Sequence, residues 1–232
     1  MSDFNLEPRA ALAPESRYFS RVLAGQCHEL ANALNIAHQL CGLHEDTLPY
    51  ACEGGAGVLE KLASVAQRID SQIERCSAIV RSLGRFAHSV DEPMMACDAR
   101  EIVERAAFFA ARQARLRQTE LRAVVPEGDV RAIYCSPFRL QQAIHAGIEL
   151  LLEGIAESRR ITATLALDAA GVAIAIASGD PFPCDAAAVG RLAEVAGLVQ
   201  AAGGEMRRPP EGGSCLMFFI PYAHAVEVPD VY

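Results

Sequence analysis

Two long stretches without a proline constrain this chain most. Residues 15–43 carry apolar side chains at Phe19, Leu23, Leu30, Leu34, Ala37 and Cys41. Steps of three, four and seven are the spacing of one helix face. Residues 58–88 repeat the pattern with Leu62, Val65, Ile69, Ile73, Cys76, Val80, Leu83 and Ala87. That run is close to a heptad, with Gln and Arg between the apolar positions. The segment between them, 48–57, holds Pro49, Gly54, Gly55 and Gly57 and reads as a loop. Two such helices on a short loop form an antiparallel hairpin. A lone hairpin leaves its apolar stripe half covered. Two copies would close a four-helix bundle, so a homodimer is expected.

The remainder changes character. Residues 90–97, with Asp91, Glu92 and Pro93, break the periodicity and mark a boundary. A helix is expected over 98–118, opened by Asp98 with Glu101 three residues on. Residues 121–125 and 133–135 are short strand candidates. Ser136-Pro137 then starts a helix over 138–155. The alternating runs 161–167 and 172–177 flank Asp168-Ala169-Ala170-Gly171, a hairpin signature. A Pro-containing loop at 180–185 precedes a helix over 186–202, which Gly203-Gly204 ends. A last hairpin joins 205–208 to 214–221 across 209–213. This order predicts an α+β sandwich, one mixed sheet covered on one face by helices. The expected organisation is a hairpin at 1–90, a linker at 91–97, an α/β domain at 98–223 and a tail at 224–232.

Composition removes several classes of function. The chain has 232 residues, 51% of them hydrophobic and 22% charged, enough apolar surface for a core. Lys and Arg total 21 against 29 Asp and Glu, a net charge of −8, which disfavours nucleic acid as a partner. No apolar run approaches the ~20 residues that span a bilayer, so no membrane partner is expected. The first residues lack a basic start followed by an apolar stretch, so a signal peptide is not read there. Eight cysteines (27, 41, 52, 76, 97, 135, 184 and 215) include no C-x-x-C pair and read as reduced thiols. His38, Cys41 and His44 offer a weak metal-ligand spacing with no obvious fourth ligand, and no metal site is assigned.

The informative stretch is Cys27-His28-Glu29-Leu30-Ala31-Asn32-Ala33-Leu34-Asn35. At ~100° per residue, Leu30 lies within about 40° of Phe19, Leu23, Leu34, Ala37 and Cys41. His28 falls about 160° away, on the outer face, together with Arg21, Gly25, Asn32, Asn35 and Gln39. Gly25 one turn below and Asn32 one turn above leave room for another protein to reach the imidazole. Glu29 is placed to orient a ring N–H or move a proton. A neutral imidazole is a competent nucleophile toward phosphorus. The plainer alternative stands beside this: an exposed helix histidine is usually only solvated. A zincin site is excluded, because H-E-x-x-H needs a second histidine where Asn32 stands.

Residues 28–35 resemble the H-box of bacterial sensor histidine kinases, H-E-L-x-N-P-L, with Ala33 in place of Pro. Residues 79–87, Ile-Val-Arg-Ser-Leu-Gly-Arg-Phe-Ala, are similar to the usual ending of the same hairpin's second helix. Arg139-Leu140-Gln141-Gln142-Ala143-Ile144 resembles the start of the kinase N-box helix. Gly203-Gly204-Glu205-Met206 and residues 212–221 are similar to the closing strands. The resemblance covers about 200 residues.

The departures bear on function. The magnesium-holding asparagine of the N-box falls on Leu150, and the preceding one on Ala146. Leucine offers no oxygen to a hard cation. The adenine-reading aspartate falls on Ser178, and the loop glycines fall on Asp180 and Phe182. The phosphate lid becomes Ala187-Ala188-Val189-Gly190-Arg191, with one glycine left. ATP binding is therefore not expected, and no ATP-site residue is assigned.

A dimeric hairpin with a phospho-accepting histidine and a degenerate ATP domain resembles the histidine phosphotransferases of phosphorelays. These include the ChpT type of α-proteobacteria and the sporulation phosphotransferase of bacilli. The resemblance implies that His28 accepts a phosphoryl group from a receiver-domain aspartate and passes it to another. Glu29 would be its acidic partner and Asn32 the polar position that helps place water. Arg21, Gly25, Asn35 and Gln39 are candidate docking positions. No cofactor is expected on the chain itself, the magnesium coming with the receiver. Its expected location is the bacterial cytoplasm. Two alternatives remain: an adaptor or inhibitor that binds a regulator or kinase without transfer, and a divergent ATP-dependent kinase.

Overall fold

The computed structural model describes residues 13–51, 55–91, 93–154, 160–179, 186–207 and 215–223. Two compact units divide between Leu83 and Gly84.

The first unit is a helical hairpin. Helix α1 spans Pro14–Thr47, a 3₁₀ turn spans Leu48–Tyr50, and α2 spans Gly55–Asp91. Pro14 sits in the first turn, where its missing N–H costs nothing. At 34 residues, α1 is about 50 Å long. The segment expected as loop over 48–57 is thus shorter. Leu48–Tyr50 winds as a 3₁₀ turn and α2 already begins at Gly55.

The inner seam differs from expectation. Tyr18, Val22, Gln26, Ala33, Leu40 and Thr47 are the buried residues of α1. On the hairpin part of α2, Leu62, Val65 and Ile79 are buried. Of the expected stripe, Leu62 and Val65 are buried as expected, but on α1 Leu23 is 40% exposed and Leu34 54%, with Cys41 also exposed. On α2, Ile73 and Val80 are 54% and 56% exposed. The helix carries two apolar stripes roughly 100° apart. The intrachain partner takes the one led by Tyr18, Val22 and Ala33, and the one led by Leu23 and Leu34 remains.

The second unit begins within α2. Its last two turns, from Gly84, belong here, and Phe86 is buried against two rings. It meets Phe109 edge-on at 5.3 Å and stacks on Phe138 at 5.6 Å. Strand β1 (Met95–Cys97) and α3 (Ala99–Leu116) follow. Asp98 caps α3, its carboxylate accepting from Arg100 N–H at 2.8 Å. Helix α3 ends in a Schellman turn, Gln118 N–H donating to Arg115 and Thr119 N–H to Ala114. Gln118 occupies the left-handed position, φ 54°, where glycine is usual.

The remaining elements are β2 (Glu120–Val124), β3 (Ile133–Cys135), α4 (Pro137–Gly154), β4 (Arg160–Leu167), β5 (Gly171–Ser178), α5 (Ala186–Ala201), β6 (Glu205–Arg207) and β7 (Cys215–Pro221). Five strands form a mixed sheet in the order β2-β4-β5-β7-β6, with β2 and β4 parallel and the other pairs antiparallel. The second strand candidate, 133–135, does not join it. β3 pairs with β1 as a separate antiparallel ribbon.

Alternation explains the layering. Ile161, Ala163 and Leu165 of β4, Val172, Ile174 and Ile176 of β5, and Leu216, Phe218 and Ile220 of β7 are buried. They pack in one core with Ile102 and Val103 of α3, Ile144 and Ile148 of α4, and Val195 and Val199 of α5. The other sheet face carries Thr162, Thr164, Ala173, Ala175 and Met217, all half-buried. Gly147 permits close contact of α4 with the sheet, since a Cβ there would lie 2.8 Å from Ile176 Cδ1. Gly203-Gly204 ends α5 as expected. A Cβ on Gly204 would lie 2.2 Å from Ile220 Cδ1 and 2.6 Å from the Phe219 carbonyl oxygen. The fold is α+β, a long helical hairpin followed by a sandwich with its helices on one sheet face.

Candidate functional site

His28 lies near the middle of α1 and is exposed. Among the described residues it makes no hydrogen bond or ion pair, so no neighbour holds its ring nitrogens. Arg21, Asn32, Asn35 and Gln39 are exposed too, and Gly25 is half-buried. A Cβ on Gly25 would meet nothing within 4 Å. Packing within the chain therefore does not demand a glycine there, and the surface one turn below His28 is left low. These side chains share one face of α1, well away in angle from the open stripe of Leu23 and Leu34.

Glu29 turns the other way. Its carboxylate is largely buried and accepts from Arg75 Nη2 of α2, an ion pair across the hairpin. Arg75 is the residue that reading of the sequence missed. An antiparallel hairpin turning near residue 51 puts Arg75 level with Glu29, and that geometry was the available signal. The pair ties α1 to α2 beside His28 and fixes the helix that carries it.

The segments where the resemblance would place a nucleotide site hold other chemistry. Leu150 is buried in the core with Leu151 and Ile148, and Ala146 is half-buried. Gln141 and Glu149 of α4 instead join a seam with α3. Arg105 Nε donates to Gln141 Oε1 at 2.8 Å, and Gln113 Nε2 donates to Glu149 Oε1 at 2.9 Å. His145 Nδ1 lies 3.7 Å from Glu149 Oε2. Ser178 ends β5 and is half-buried. Residues 187–191 form the first turns of α5. Ala188 is buried in the core there, and Arg191 pairs with Glu153 of α4. Asp180 and Phe182, the loops at 180–185 and 209–213, and the tail from 224 lie outside the described residues.

An open groove of about 360 Å³ near the hairpin's turn is lined by Cys41, His44, Glu45, Asp70 and Ile73. Among the described residues, no three His, Cys, Asp or Glu side chains converge as metal ligands. His38, Cys41 and His44 therefore do not assemble a site. No described helix is long and apolar enough to cross a membrane.

No family model matches the chain. No curated protein matches it. Among solved structures, it overlaps the histidine kinase AdeS of Acinetobacter baumannii with a TM-score of 0.45 and 14% identity, over 80% of this chain and 95% of that one. Full-length ShkA in complex with AMPPNP gives 0.47 and 19% over 71% of this chain and 39% of that one. The ATP-binding domain of PrrB from Mycobacterium tuberculosis gives 0.43 and 23% over 56% and 98%.

Proposed function

We propose that the chain is a histidine phosphotransferase of the histidine-kinase-like type, moving a phosphoryl group between receiver-domain aspartates through His28 without binding ATP. One observation carries the reading. His28 is exposed on a low outer face of α1, while Leu150 is sealed in the core where a kinase's metal-binding amide would stand. The likeness of residues 28–35 to the H-box supports the same assignment.

A receiver bearing phospho-aspartate docks over Gly25, with Arg21, Asn35 and Gln39 as contacts. A ring nitrogen of neutral His28 attacks phosphorus in line. The N–P bond forms as the acyl-phosphate P–O bond breaks, and the electron pair leaves on the aspartate carboxylate. The magnesium that neutralises charge at phosphorus belongs to the receiver. The second half reverses the chemistry onto another aspartate. Glu29, held by Arg75, fixes the helix beside the nucleophile, and Asn32 is the polar group next to the phosphorylated ring.

The open stripe of Leu23, Leu34, Ile73 and Val80 is the surface on which a second copy completes a four-helix bundle. Each such side chain contributes about 1.5–3 kcal/mol when fully buried. Incubation with labelled phospho-receivers tests the proposal. Label on the wild type but not on H28Q supports it. Unchanged receiver binding without label favours an adaptor.

A further inference from the structure

Two thiols meet in the ribbon that opens the α/β unit. Cys97 ends β1 and Cys135 ends β3. In the antiparallel register Cys97 stands opposite Ile133 and Met95 opposite Cys135, so the cysteines lie on one diagonal of one ribbon face. Their sulfurs are 3.3 Å apart. A disulfide needs about 2.05 Å, so an approach of about 1.2 Å closes the bond. Among the described residues the other thiols, Cys27, Cys41, Cys76 and Cys215, form no such pair.

The two sulfurs are unequal. Cys135 is fully buried, while Cys97 is half-buried. Cys97 directly precedes the Asp98 cap of α3, near the positive end of that helix. The hydrogen bond with Cys135 holds the Cys97 thiol below its ordinary range, and the Arg105 charge acts in the same direction against burial, Asp98 and Glu101. The same hydrogen bond, together with burial, pushes Cys135 up. Cys97 is therefore the sulfur that reacts first, and Cys135 the one that resolves.

We infer that Cys97 and Cys135 form a reversible oxidation site whose oxidant is a hydroperoxide. Cys97 sulfur attacks the distal peroxide oxygen. An S–O bond forms, the O–O bond breaks, and the leaving oxygen departs as alcohol or water after taking up a proton. Cys135 sulfur then attacks the sulfenic sulfur. The S–S bond forms, the S–O bond breaks, and water carries away the Cys135 proton. Two thiols lose two electrons in total and one peroxide gains them. The product bridges positions 38 residues apart and binds β1 covalently to β3. The inference stands independently of phosphotransfer.

The test uses the full chain, treated with hydrogen peroxide, alkylated and digested with trypsin without reductant. Cleavage after Arg85, Arg100, Arg131 and Arg139 isolates each thiol on one peptide. The expected product is a linked pair of 86–100 with 132–139. Its mass is about 2 Da below the sum of the reduced peptides, and dithiothreitol abolishes it. In C135S the linked pair is absent and Cys97 accumulates sulfenic acid, which a dimedone probe traps. Absence of the linked pair from the oxidised wild type, or linkage of Cys97 to any other cysteine, overturns the inference.

Discussion

In the hairpin unit, Leu23, Leu34, Ile73 and Val80 remain exposed along both helices. In the α/β unit, exposed aliphatics such as Leu116, Val124 and Leu167 stand singly at the ends of elements, and nine alternating strand residues are sealed beneath three helices. The hairpin closes one seam and leaves a second stripe open. The α/β unit closes on itself, with Leu150 buried in its core. The first unit exposes a run of apolar side chains along its length, and the second buries its own.

Substitutions break this contrast selectively. The largest effect is expected from L34E combined with I73E. It removes apolar area from both sides of the open stripe and places charge there, about 4 kcal/mol or more lost per copy. Sedimentation should report a dimer for the wild type and a monomer for the variant, with the α/β melting transition unchanged. A dimer that survives the double change would show that the stripe is not the assembly surface. Next is L150N. Its side chain enters a core with no polar partner, at a cost of about 3–5 kcal/mol. Calorimetry should show that loss, and nucleotide titration should show no gain of ATP affinity. If ATP binding appears, the substitution alone had silenced the site.

Smaller effects sharpen the picture of the α/β unit. D98A removes the α3 cap and costs about 1 kcal/mol at pH 7. The hydrogen bond from Arg100 depresses the Asp98 carboxyl below its ordinary value of 3.8. A depressed carboxyl contributes fully above its unfolded value, and that contribution fades as pH falls through the folded one. The melting difference between D98A and wild type should therefore shrink below about pH 4. A difference that persists at lower pH would mean that the cap is not electrostatic. Smallest is Q118G, which relieves a left-handed residue and should stabilise by about 0.5–1 kcal/mol. A loss of stability would mean that the glutamine side chain holds a contact of its own.

Much of the architecture was legible because it is local. The period of four and seven marks both long helices, Asp168–Gly171 marks the β4–β5 hairpin, and Gly203-Gly204 marks the end of α5. Three features were not legible, each set by tertiary partners. Periodicity shows two stripes on α1 but not which one the second helix takes, so Ala33 rather than Leu34 lies inside. β1 has three residues and no alternation, and its pairing with β3 across 36 residues has no local signal. The Glu29–Arg75 pair likewise appears only when the hairpin register is known. At the candidate site, the exposed setting of His28 was readable from the helix angle alone. The seam of Arg105, Gln141, Gln113 and Glu149 was not, since single polar residues on two helices do not declare their partners.

Phosphoryl transfer to His28 tests the central claim most directly. Wild type and H28Q are each incubated with labelled phospho-receivers and, separately, with labelled ATP and magnesium. The account predicts label on the wild type from a receiver, none from ATP, and none on H28Q from either. Label from ATP, or equal label on H28Q, would contradict it.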